Sequence, residues 1–211
     1  MARLYLLRHG QTEFNLQGRV QGRCDAPLTV LGVEQAHAAA AWIAAQQVHF
    51  DRLCTSPLGR ALHTLELVRD DLIAAGQDGI PEIEPIDGLK ERSYGPFEAG
   101  PASDVPCELW DPGEALVPYG GEGSQALRRR IVSTLTDIMQ EVGPDAAVLA
   151  TSHGSATLQF KRAGNTWLNA PKTSTLATAA SSSTTSTPPP KPSPTYPSPT
   201  PREKTSRVNS R

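Results

Sequence analysis

Apolar positions along this chain fall in short runs separated by longer helical periods. Arg3 to Leu7 is a short apolar run that reads as a strand. Thr29 caps a helical pattern from about Val30 to Gln47, with Ala36, Ala40, Ile43 and Ala44 on one face. Phe50 to Cys54 reads as a second strand. Pro57 stands where a helix can begin, and Leu58, Leu62, Leu65, Val68 and Leu72 follow at spacings of three and four, with Gly76 as the stop. Glu82 to Ile86 is a weaker strand, and residues 95–121 are rich in Gly and Pro without a period, so they predict a long loop or lid. Leu127, Ile131, Leu135, Ile138 and Val142 mark a helix ending at Gly143-Pro144, and Ala146 to Ala150 reads as the last strand. A weakly apolar helix comes next, from Ser155 to about Trp167. Strands alternating with long helices predict an α/β fold, a three-layer α/β/α sandwich with a mostly parallel central sheet. Ligands of such sheets sit beyond the carboxyl ends of the strands.

Composition divides the chain near residue 170. Residues 171–211 hold 9 of the 19 prolines, 18 Ser or Thr, and Tyr196 as their one aromatic residue. Too little apolar surface is present there to offset chain entropy. The expected organisation is a folded domain over 1–167 and a disordered Ser/Thr/Pro-rich tail over 168–211. The whole chain carries −2, the tail +5 and residues 1–170 −7. Nothing in that balance suggests nucleic acid or a membrane surface as a partner. Cys24, Cys54 and Cys107 show no CxxC spacing and cannot all pair, no apolar run approaches a membrane span, and the N-terminus lacks a long apolar leader. A cytoplasmic protein is the expectation, with oligomeric state left open.

The chemistry sits just after three of the strands. Arg8-His9-Gly10 comes after the first, Ser56-Pro-Leu-Gly-Arg60 after the second, and Ser152-His153-Gly154 after the last. Two Arg and two His thereby converge on one sheet edge, where clustered cations repel unless an anion compensates them. Each His-Gly pair admits close backbone approach to a ligand, and nearby helix N-termini favour anions. The pattern reads as an oxyanion pocket sized for phosphate, which Arg matches with paired donors. Flanking cations keep a His there neutral, so it can attack phosphorus and form a phosphohistidine. A carboxylic acid must then protonate the leaving group, and the candidate lies in Gly88-Leu-Lys-Glu91-Arg92-Ser-Tyr94-Gly95. Glu13, Glu98 and Glu122 are rival carboxylates. His37, His49 and His63 read as surface or packing residues, Cys54 as a small buried residue, and Arg128-Arg129-Arg130 as a solvated helix face. No metal-ligand spacing is present, and the chemistry calls for no metal and no cofactor.

Leu7-Arg-His-Gly-Gln-Thr-Glu-Phe-Asn15 resembles the signature of the histidine phosphatase superfamily, the phosphoglycerate mutase-like fold. Asp25-Ala-Pro-Leu-Thr29 with Gly32, Ser56 to Thr64, Leu89-Lys-Glu91 and Thr151-Ser-His-Gly154 resemble its further blocks, in family order. The resemblance implies His9 as nucleophile, Arg8, Arg60 and His153 as holders of the phosphoryl oxygens, and Glu91 as proton donor. It implies substrate contacts at Gly10, Asn15, Gln21, Gly22, Arg92, Tyr94 and Gly154. The family pattern continues with an apolar helix and a further strand, whereas no strand-like run precedes the tail here, so the C-terminal strand is expected to be missing. A natural extension on a shortened domain and a change of reading frame near residues 160–170 both give such a sequence.

The function expected is a metal-independent phosphoric monoester hydrolase acting on a small-molecule phosphate ester. Two alternatives stand beside it: a phosphoglycerate mutase with the same site, and a catalytically impaired member that acts as a binding module through its Pro-rich tail. Between Arg92 and Arg128 there are six carboxylates and no Lys or Arg. That imbalance predicts repulsion of a second anionic group, and with it preference for monophosphates over a bisphosphorylated intermediate.

Overall fold

A computed structural model describes residues 2–167 of the 211-residue chain, with side chains described through Gly164. Four strands, β1 (Arg3–Arg8), β2 (Arg52–Thr55), β3 (Ile83–Pro85) and β4 (Ala147–Ser152), form one sheet in the order β1-β4-β2-β3. Every pairing is parallel. The helices are α1 (Glu13–Leu16), α2 (Val30–Ala45), α3 (Gly59–Ala74), α4 (Ser124–Gln140) and α5 (Gly154–Trp167).

Side chains alternate across the strands and divide the core into two layers. Leu7, Leu53, Ala147 and Leu149 face α2 and α3, where they meet Ala36, Ala40, Ile43, Leu65, Val68 and Leu72. Leu4, Leu6, Cys54, Val148 and Ala150 face the other way, toward Leu127, Ile131, Leu135 and Ile138 of α4 and Ala156 of α5. β4 is buried at all six positions, as befits a central strand covered on both faces. The chain is thus a three-layer α/β/α sandwich.

Elements and boundaries track the apolar periods closely. Thr29 caps α2 by accepting from Gly32 N–H, and Gly76 ends α3 at φ +85°. α3 starts two residues later than Pro57 suggests, and β2 ends one residue later than expected. The short helix α1 carries no apolar period of its own; it is closed by a capping box in which Thr12 and Asn15 exchange hydrogen bonds.

Residues 95–121 contain three short 3-10 turns and no longer element. They are nonetheless folded around a small apolar cluster of Val20, Tyr94, Val105 and Leu116, with Phe97 and Tyr119 edge to face at 5.3 Å. No helix among the described residues is long and apolar enough to cross a membrane. The expected tail and the expected absence of a C-terminal strand lie outside the described residues.

Candidate active site

Register places the site. Arg8 pairs with Ser152, and Thr55 with Thr151, so β1, β4 and β2 end level with one another. The next residues along the chain, His9, Ser56 and His153, therefore emerge at a single edge. The His9 and His153 rings lie 5.1 Å apart.

A hydrogen bond fixes the state of the His9 ring. His9 Nδ1 lies 2.8 Å from the Gly10 carbonyl, an acceptor only, so Nδ1 carries the proton. Nε2 then presents a lone pair and accepts from Arg60 Nε at 3.3 Å. Burial, and after it the charges of Arg60 and Arg8, pushes the His9 imidazole down to about 3. His153 is fully buried, and burial together with Arg60 drives it well below the ordinary histidine range. Its Nε2 lies 2.7 Å from Ser56 Oγ, which itself accepts from Leu58 N–H at 3.3 Å. The Ser56 hydroxyl, which is both donor and acceptor, can meet either tautomer of that ring nitrogen. His153 Nδ1 is buried without a partner, an atom available to an incoming group.

Arg60 is buried and tied on three sides. Nη1 donates to the Cys24 carbonyl and to Asp25 at 2.9 Å, and Nη2 donates to the Gly22 carbonyl at 2.8 Å. Arg8 is exposed, and its guanidinium carbon lies 5.2 Å from the centroid of the Trp110 ring. Glu91 is 5% exposed. Its carboxylate accepts from the N–H groups of Arg92 (2.7 Å), Ser155 (2.9 Å) and Ala156 (3.1 Å). The open N-terminus of α5 expected to meet an anion is therefore occupied by Glu91, whose charge also complements the helix dipole.

Several residues implied as ligand contacts are committed elsewhere. Gly10 donates its N–H to Thr64 Oγ1 at 3.2 Å, and a Cβ there would sit 2.3 Å from the Gly32 carbonyl oxygen. Its smallness serves helix packing, whereas close approach to a ligand was the expectation. Gly22 likewise faces the Arg92 carbonyl, 2.5 Å from a would-be Cβ. Asn15 is exposed and its Oδ1 is used by Thr12 N–H. Gln21 accepts from Thr12 Oγ1 at 2.6 Å and keeps Nε2 buried without a partner. Arg92 donates to the Glu122 carbonyl at 2.8 Å and to Ser124 Oγ at 3.1 Å, leaving its buried Nε unpartnered. The Tyr94 hydroxyl meets the Leu109 carbonyl and Ser155 Oγ, and burial pushes it up to about 12. Gly154 faces the Trp110 ring.

Two expectations about charge are corrected. Arg130 is no solvated residue: it pairs with Glu122 at 2.7 Å and donates to the carbonyls of Gly88, Lys90 and Glu91. The acidic lid, moreover, is not a field of free charge. Glu122 is held by Arg130 and Arg23, Asp111 pairs with Arg162, and Glu98 accepts from the N–H groups of Arg23, Cys24 and Tyr94. The cations come from outside the segment, so counting charge within it misses them. Cys54 is buried, and burial raises its thiol to about 11, which suits a packing role. Ser56, which meets His153, and Asp25, which sets the pose of Arg60, open two of the family-like blocks but were given no role from the sequence. Among the described residues no group of three His, Cys, Asp or Glu is arranged to hold a metal ion.

A Nε2 lone pair, two guanidinium groups, an unpartnered imidazole nitrogen and a carboxyl group at one sheet edge suit attack on a phosphoryl group. Known proteins resemble the chain in sequence and in fold. The 2,3-bisphosphoglycerate-dependent phosphoglycerate mutase of Nitrobacter hamburgensis is 36% identical over 165 residues, 72% of this chain and 76% of the relative. Among solved structures, YhfR of Bacillus stearothermophilus matches with a TM-score of 0.69 at 28% identity, covering 79% of this chain and 81% of that one. A putative alpha-ribazole-5'-P phosphatase of Escherichia coli matches with a TM-score of 0.61 at 30% identity, covering 75% and 77%. A profile of the histidine phosphatase superfamily (branch 1) matches residues 4–183, and it is to this family that the chain belongs.

Proposed function

We propose that this chain is a phosphoric monoester hydrolase that acts on a small phosphorylated metabolite through a phosphohistidine. The observation that carries the reading is the tautomer of His9: Nδ1–H is spent on the Gly10 carbonyl, so Nε2 holds its lone pair toward Arg60. In the first step Nε2 bonds to phosphorus, the ester P–O bond breaks, and the leaving oxygen takes a proton from Glu91. In the second step water attacks phosphorus and gives its proton to Glu91, the N–P bond breaks, and His9 returns neutral. Arg8, Arg60 and His153 Nδ1 supply donors for the equatorial oxygens.

The mutase alternative shares the first step, passes the phosphoryl group to a substrate hydroxyl in place of water, and needs in addition a cation for a second anionic group. Arg92 adjoins the acid and is the natural candidate, but both its terminal nitrogens serve Glu122 and Ser124. That commitment favours hydrolysis. The test is release of inorganic phosphate from an aryl phosphate and a sugar phosphate, run beside interconversion of 2- and 3-phosphoglycerate. Phosphate release with an acid-labile, alkali-stable phosphoryl group on His9 is the expected result. Efficient interconversion with little phosphate released overturns the hydrolase reading.

A further inference from the structure

Trp110 lies in the irregular segment, yet it is fixed from several sides. The Leu109 carbonyl accepts from the Tyr94 hydroxyl at 2.8 Å. The Asp111 carboxylate accepts from Ser124 Oγ at 2.6 Å and from Gln159 Nε2 at 2.7 Å, and it pairs with Arg162. Glu108 accepts from the N–H groups of Trp110 and Asp111. The residues on either side of Trp110 are thereby anchored to the Tyr94 segment, to α4 and to α5. The ring itself lies against Gly154, where a Cβ would come within 2.5 Å of Cζ3. Its face carries the Arg8 guanidinium at 5.2 Å. Among the described residues no hydrogen-bond acceptor holds that guanidinium.

We infer that Trp110 is a positioning residue: it orders Arg8 in the empty pocket, so that a phosphoryl group meets a guanidinium already in place. The inference rests on the pocket being the phosphate site. An unrestrained Arg loses rotamer freedom when it binds, and a cation held over an indole face has lost that freedom beforehand. The indole acts on the phosphoryl end of every substrate, whatever the leaving group.

Inorganic phosphate, titrated calorimetrically into the full chain, separates this role from others because it has no leaving group. Trp110→Leu keeps apolar bulk without a π face, and it should weaken phosphate binding about two- to tenfold. Trp110→Phe should restore most of the loss. Gly154→Ala, which displaces the ring without removing it, should weaken binding as Trp110→Leu does. Asp111→Asn loosens the anchor and should give a smaller loss in the same direction. Circular dichroism checks that each variant is folded. Equal phosphate affinity in wild type and Trp110→Leu overturns the inference, as does a loss confined to aryl esters, which would make the indole a stacking surface for leaving groups. A wild-type chain that binds no phosphate fails at an earlier point, the phosphate pocket itself.

Discussion

The pocket at the strand ends and the lid over residues 95–121 are built on opposite principles. In the pocket the residues just past the strands are placed by backbone that the sheet already fixes: His9 N–H donates to the Ser152 carbonyl and Ser56 N–H to the Thr151 carbonyl, continuing the ladder by one residue. The side chains there inherit the register of the strands. In the lid, order comes from groups reaching in from elsewhere: Arg162 pairs with Asp111, the N–H groups of Arg23 and Cys24 donate to Glu98, and Arg23 and Arg130 hold Glu122 at the lid's C-terminal edge. Charges on the sheet edge keep the role that their position gives them. Charges in the lid are consumed in holding the lid together.

The sharpest break of this contrast is at the nucleophile. His9→Ala should cost on the order of 10⁴-fold or more in turnover, read as kcat, while leaving the lid intact. Turnover near the wild-type level would remove the covalent mechanism. Glu91→Gln comes next, with a loss on the order of 10²–10⁴-fold for alkyl phosphates and a smaller one for aryl phosphates, whose oxygen leaves with less need of a proton. Comparable losses on both substrates would take Glu91 out of the general-acid role.

The third test uses pH. His9 and His153 are held neutral in the folded chain, His9 down to about 3, but in the unfolded chain each takes a proton near 6.5. The unfolded state therefore binds more protons below about pH 6.5, and stability falls as pH falls toward 3. Between pH 7.5 and 5.5 the loss should be about 2–3 kcal/mol for the two rings together, measured by urea denaturation. His9→Ala should flatten that slope, and an unchanged slope would show that His9 titrates alike in both states. The mildest perturbation is in the lid framework. Arg130→Ala removes bonds to Glu122 and to three carbonyls around Glu91, and should lower stability by about 1–2 kcal/mol. It should also raise KM through the loosened Glu91 segment. A variant as stable as wild type, with unchanged kinetics, would return Arg130 to the solvated helix face.

Much of the sheet and its helices was legible because burial imposes a period. Leu65, Val68 and Leu72 repeat at helical spacing, and Ala147 to Ala150 is apolar throughout because both faces are covered. The pocket was legible for a related reason: His9, Ser56 and His153 stand just past the carboxyl ends of their strands, and parallel strands bring those ends to one edge. The roles that escaped were decided by partners distant in sequence. Nothing local distinguishes Arg130, which braces the Glu91 segment, from Arg129 beside it. Gly10 reads as a ligand-facing glycine until the Gly32 carbonyl is seen against it. Trp110 has no neighbours in any period, and its place is known only from Arg8 and Gly154.

The pairing of the first strand with the last carries a consequence for how this protein comes to be made. Arg3 lies against Ala147, so β1 has no sheet partner among the described residues until nearly all of them have been synthesised. β2 meets the same central strand. Long-range parallel pairing is intrinsically slow, since the chain must close a large loop before any contact compensates the lost entropy. On the ribosome, His9 emerges long before the segment that carries His153 and waits, with its strand edge bare, until that segment follows. Among the described residues the pocket at the strand ends can close only once β4 is in place, and a nascent chain halted before β4 exposes apolar strands to aggregation and to chaperones.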